Sequence, residues 1–303
     1  MQQLLINRFR GLFLSVAVLE AHVQGSAGHP GKIAAIPSKE YGWEILPENL
    51  GWCGAIATST QTLISTQALC PGTACQTDDA CARLLAGLLP AALFWHDDVS
   101  CLENQLGQCL SGTDSELQAG GVGMGVAIAR LCREQANPQT LISHLLAQPC
   151  LSETYLHAQL SQIQGLLDAH ASLTRVWYQI GQDQTLPAHR YATAIAMAVY
   201  TWATSADSWP LTIARILALP QPSVIAALMA SALSGVFNGI NGIPLNWQTS
   251  LSAASSLGSR EHSLALADQL LTTWSGYYGH QALPPAELEI TTVSAPGVLR
   301  FRE

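Results

Sequence analysis

"PSVIAALMASALSGVFNGINGIP", residues 222–244, decides the fold. No Asp, Glu, Lys or Arg occurs between Arg215 and Arg260, and 21 residues separate Pro222 from Pro244. That length is nominally enough to span a bilayer. The composition argues otherwise. The stretch is built of Ala, Ser and Gly with Asn238 and Asn241, not of Leu and Ile. Small residues let backbones approach closely, so the segment reads as a central buried helix over about 223–240 in a water-soluble protein. On this reading it is the most buried helix of the domain.

The rest of the chain agrees with a large core. Of 303 residues, 49% are hydrophobic and only 11% charged, a balance opposite to that of disordered chains. Net charge is −8 and the 13 basic residues form no cluster, which excludes nucleic acid as the expected partner. Residues 11–19, "GLFLSVAVL", follow Arg8 and Arg10 and imitate a secretory signal. Glu20 and His22 interrupt the passage to a cleavage region, so a cytoplasmic protein is expected. Eight cysteines at 53, 70, 75, 81, 101, 109, 132 and 150 include no Cys-x-x-Cys pair, and buried free thiols are the expectation.

Apolar periodicity is helical almost throughout. It predicts helices over 8–23, 56–69, 78–94, 99–110, 114–134, 139–147, 153–170, 189–204, 208–218, 223–240 and 260–275. Links containing Pro or Gly separate several of them. "LEITTV", 288–293, is the lone strand signal. The expected organisation is a single all-α domain over 1–303.

Candidate chemistry begins with "CQTDDACARLL", 75–85. Thr77 followed by Asp78 and Asp79 could open a metal site, or could cap and start a helix. "HDD", 96–98, reads as a solvated turn with a cap, and "SGTDSE", 111–116, as a helix start. "GGVGMG", 120–125, lacks the preceding strand and following Lys of a phosphate loop and reads as close helix packing. Trp95, Trp177, Trp202, Trp209 and Trp274 read as core or interface residues.

Three stretches, in order, resemble the ADP-ribosylglycohydrolase family, the fold of dinitrogenase-reductase-activating glycohydrolase. They are "RFRGLFLSVAVLEA" at 8–21, the segment 89–131 that opens "LPAALFWHDD", and the segment 190–244 that ends in the opening quotation. The resemblance implies an all-α fold and a site in which aspartates of T-D-D-T and G-G-D-T-D-T motifs hold two magnesium ions. Two adjacent dications need several hard anionic oxygens. Running back without a gap from Ile243-Pro244, the two aspartates of the later motif fall on Pro222 and Val224. The early motif falls either on Thr77-Asp78-Asp79 or on Thr58-Ser59-Thr60-Gln61. Glu20, at the place of the family's opening aspartate, lies 38 residues before Thr58 and 58 before Asp78; the shorter gap is the family's.

The resemblance so placed leaves Glu20 as one carboxylate where several are needed, and implies no metal and no cofactor, with magnesium only if the site has diverged elsewhere. Thr58, Ser59, Pro222 and Val224 are expected to converge. Glu20, Thr58, Ser59, Thr60 and Ser223 form the expected ligand pocket, and no catalytic residue is assigned. The expected function is a pseudoenzyme that binds an ADP-ribose-like or nucleotide ligand or a protein partner. The alternatives are a divergent hydrolase, with Glu20 and one of Asp78, Asp79, Asp97 or Asp98 as its carboxylate pair, and a structural subunit of a larger complex.

Overall fold

The computed structural model describes residues 2–28, 50–69, 77–181, 183, 189–249, 251 and 259–276. Among them are thirteen α-helices and no strand. In chain order the helices are α1 (Gln2–Gly28), α2 (Trp52–Thr66), α3 (Asp78–Phe94), α4 (Val99–Cys109), α5 (Ser115–Cys132), α6 (Leu141–Leu146), α7 (Tyr155–Asp168), α8 (Leu173–Gln179), α9 (Arg190–Ala203), α10 (Trp209–Leu217), α11 (Val224–Asn238), α12 (Leu245–Thr249) and α13 (Arg260–Ser275). The strand signal at "LEITTV" lies outside the described residues. No described helix is long and apolar enough to cross a membrane.

Helix α11 is the axis of the molecule. Every residue from Val224 to Val236 is buried, and α1, α3, α5, α9 and α10 all pack on it. The small side chains set the spacing. A Cβ on Gly235 would stand 2.2 Å from Ser15 Oγ, and one on Gly11 would stand 2.2 Å from the Gly235 carbonyl oxygen. Backbone therefore meets backbone where α1 crosses α11, and no larger residue fits at either glycine. The buried hydroxyl of Ser231 donates to the Ser15 carbonyl at 3.0 Å and accepts from Trp209 Nε1 at 3.2 Å, so its polarity is answered inside the core. The glycines of α5 make room for side chains instead: a Cβ on Gly120 would lie 2.3 Å from Ile195 Cδ1, and on Gly125 2.3 Å from Leu106 Cδ1.

Several expectations are corrected. Helix α2 starts at Trp52 rather than 56, after Gly51 in the left-handed region at φ 68°. Helices α8 and α12 were not anticipated; both are short, and α8 is capped by Ser172, whose hydroxyl accepts from Arg175 N. His96 is buried rather than solvated, its Nδ1 2.6 Å from the Leu93 carbonyl and its ring against Phe9 and Trp274. The six described cysteines are free thiols, but Cys150 is exposed and Cys53 and Cys101 are half-buried. Asp98 does cap α4, accepting from Cys101 N at 3.0 Å, and Asp114 caps α5.

Candidate functional site

Glu20 sits near the C-terminal end of α1, 5% exposed, and its carboxylate faces the start of α2. One oxygen accepts from Trp52 N at 2.9 Å and the other from Cys53 N at 2.7 Å. The reason is local. A helix start leaves its first N–H groups without partners and carries partial positive charge, and Gly51 has no side chain to cap it. Glu20 supplies both the acceptors and the charge from 32 residues away. Burial, and then Glu20 itself, push the Cys53 thiol far above the ordinary cysteine range, so this thiol is not a nucleophile.

The hydroxyls of α2 turn inward on their own helix. Thr58 is exposed and donates to the Gly54 carbonyl at 3.0 Å; Thr62 donates to the Thr58 carbonyl at 2.9 Å. This i to i−4 bonding lets a threonine sit mid-helix. Ser59 is half-buried and Thr60 fully buried, and the hydroxyl oxygens of both lack a hydrogen-bond partner. Ser223 caps α11, accepting from Ala226 N at 3.4 Å. Pro222 is half-buried and Val224 buried. Of the five expected pocket residues, Glu20 and Ser223 thus serve as helix caps, Thr58 bonds its own helix, and Thr60 has no exposed surface.

Helix register explains which of these positions meet. Gly11 faces Gly235 and Ser15 faces Ser231, so α1 and α11 run antiparallel. Val224, seven residues before Ser231, is then level with His22 and close to the level of Glu20. Helix α2 runs alongside α3 in the same direction, with Gly51 beside Arg83 and Ala55 beside Gly87. The end of α3 lies by Phe9, through His96. Helix α2 therefore leads away from Glu20 toward the start of α1. Thr58, six residues beyond Trp52, lies about 9 Å further along. The fold brings Glu20 level with Val224, and sets Thr58 and Ser59 about two turns off.

Asp78 and Asp79 begin α3, and Thr77 is its cap, accepting from Ala80 N at 3.3 Å. Asp78 pairs with Arg190 Nη1 at 3.2 Å. Arg190 in turn lies over the Tyr191 ring, 4.5 Å from its centroid, and donates to the Tyr191 hydroxyl, which lies 3.3 Å from Cys81 Sγ. Sequence reading missed this α3–α9 junction entirely, because Arg190 carries no local signal of its partner.

A dinuclear magnesium site does not fit these residues. Proline and valine at 222 and 224 offer no side-chain oxygen, the Thr58 hydroxyl is engaged, and both Glu20 oxygens are held by backbone N–H groups. Among the described residues no group of three or more His, Cys, Asp and Glu is placed to hold a metal ion.

No curated protein matches the chain. A family model, that of ADP-ribosylglycohydrolase, matches residues 24–280. The match leaves the opening stretch at 8–21 outside and takes in the segments at 89–131 and 190–244, together with every position to which the two motifs were carried. It spans most of the helical array built around α11, and the chain belongs to the ADP-ribosylglycohydrolase family.

Proposed function

We propose that this chain is a non-catalytic member of the family that acts by binding, either an ADP-ribose-like or nucleotide ligand or a protein partner. The observation that carries this reading is the commitment of Glu20, whose two oxygens are both bonded to the backbone at the start of α2. A carboxylate so engaged is not placed to ligate a dication or to take a proton from water. The positions to which the resemblance carries the two motifs support the same view, since Thr58, Ser59, Pro222 and Val224 supply none of the anionic charge that two magnesium ions require. Free thiols at the six described cysteines suit the reducing cytoplasm.

The test is a glycohydrolase assay on ADP-ribosylated protein and ADP-ribosylarginine with and without Mg²⁺, alongside calorimetric titration of Mg²⁺ and ADP-ribose. The expected outcome is no release of ADP-ribose under either condition and no saturable Mg²⁺ binding. Magnesium-dependent turnover that disappears in Asp78→Ala would overturn the assignment and revive Asp78 as a ligand.

A further inference from the structure

A cavity of about 750 Å³ opens between the ends of α7, α9 and α10, lined among others by Gln139, Gln164, His170, Thr204 and Arg215. It adjoins a second, of about 600 Å³, that shares Gln139 and Thr204 and includes Ala206. This groove is remote from Ser223 and the start of α11. Asn238, at the end of α11, donates to the Ala206 carbonyl at 2.7 Å, whereas Ser223 caps the start of the same helix. Fifteen helical residues separate the two places by about 22 Å.

Arg215 is the unusual group here. The three ion pairs among the described residues are Arg8–Glu134, Arg10–Asp268 and Arg190–Asp78, and none includes it. Among the described residues its one hydrogen bond runs from Nη1 to the Thr204 carbonyl at 3.0 Å. Burial lowers the Arg215 pKa from its ordinary value, the mark of a partly desolvated guanidinium. A fork of five N–H donors in that condition calls for a planar anion. The surroundings call for something else as well. The C-termini of α7 and α9 border the cavity, offering carbonyl acceptors and a negative dipole, and Asp168 lies on its wall. A multiply charged anion would be repelled, whereas a monoanion rich in hydroxyl donors would satisfy both demands.

We propose that this groove binds a small hydroxylated carboxylate of the sugar-acid class, its carboxylate on Arg215 and its hydroxyls on the carbonyls, Gln139 and Thr204. The volume suits such a ligand.

Calorimetric titration with glucuronate tests it, with glucose as the control lacking the anion and acetate as the control lacking the hydroxyls. Saturable binding of glucuronate alone is expected. Arg215→Gln should weaken it about tenfold or more, the worth of a charged hydrogen bond. Because Arg215 also holds Thr204, the folding of Arg215→Gln is checked by circular dichroism, and Arg215→Lys, which keeps the charge but loses the fork, should still weaken binding about 3 to 10 times. Gln139→Ala, on an exposed side chain, should weaken it about threefold. Glucuronate heats no larger than those of acetate, or wild-type affinity in the folded Arg215 variant and in Gln139→Ala, would overturn the proposal. Either result leaves the ADP-ribose and Mg²⁺ titrations untouched, so the two readings fail separately.

Discussion

Two helices of this protein begin on a carboxylate borrowed from another helix. Glu20 of α1 holds the first N–H groups of α2, and Glu116 of α5 holds those of α7, accepting from Tyr155 N at 2.8 Å and Leu156 N at 3.0 Å. The bonding is the same; the surroundings are not. Helix α7 also has its own cap, Thr154, which accepts from His157 N at 3.2 Å, and Glu116 is only half-buried. Helix α2 starts on a glycine with no side chain to offer, and Glu20 is buried. Glu116 therefore reinforces a helix start that exists without it, while Glu20 supplies one. The difference shows how far a helix start depends on a borrowed acceptor when it has no cap of its own.

The sharpest break would come at Glu20. Glu20→Ala leaves two buried N–H groups without acceptors and should cost about 3 kcal/mol, measured as a shift in the urea midpoint. Glu20→Gln, which keeps one acceptor, should cost about 2 kcal/mol. If both variants were as stable as wild type, Glu20 would be free for other chemistry.

Acid should act on the same end of α1. His22, stacked on Trp247 at 5.4 Å between ring centroids, is held neutral by burial, which lowers its pKa to about 4. The unfolded chain takes up a proton near pH 6.5 and the folded one does not, so stability should fall as pH drops from about 6.5 to 4, by on the order of 3 kcal/mol. His22→Phe should flatten that part of the pH–stability curve, and an unchanged slope would assign it to other groups. The smallest effect belongs to Glu116. Glu116→Ala should cost about 1 kcal/mol, because Thr154 remains. Equal losses at Glu20 and Glu116 would mean that a helix's own cap makes no difference here.

What could be read from the sequence was whatever one segment states by itself. The start of α3 at Thr77-Asp78-Asp79 and the burial of α11 follow from local rules of capping and composition, and both are as expected. The resemblance to the family rested likewise on contiguous stretches. Beyond that reach lay the pairs joined only by folding: Glu20 with Trp52 and Cys53, Glu116 with Tyr155, Asp78 with Arg190. Each needs the relative height of two helices, which no window of residues contains. The placement of Thr58 and Ser59 depends on that same missing quantity. The direction of α2 away from Glu20 was not legible, nor was the turning of Thr58 back to Gly54.

The glycine crossing of α1 and α11 also has a meaning in time. Gly11 and Gly235 touch in the finished protein, yet a ribosome makes them more than two hundred residues apart. At about 5–20 residues per second, α1 is out on the order of 10 to 40 seconds before its partner exists. During that interval Phe9, Leu12, Phe13, Val16 and Leu19, all buried later, lack the α11 surface that α1 crosses, although His96 already offers Phe9 a partner. The core around α11 therefore closes only when translation reaches that helix, late in the synthesis of the chain.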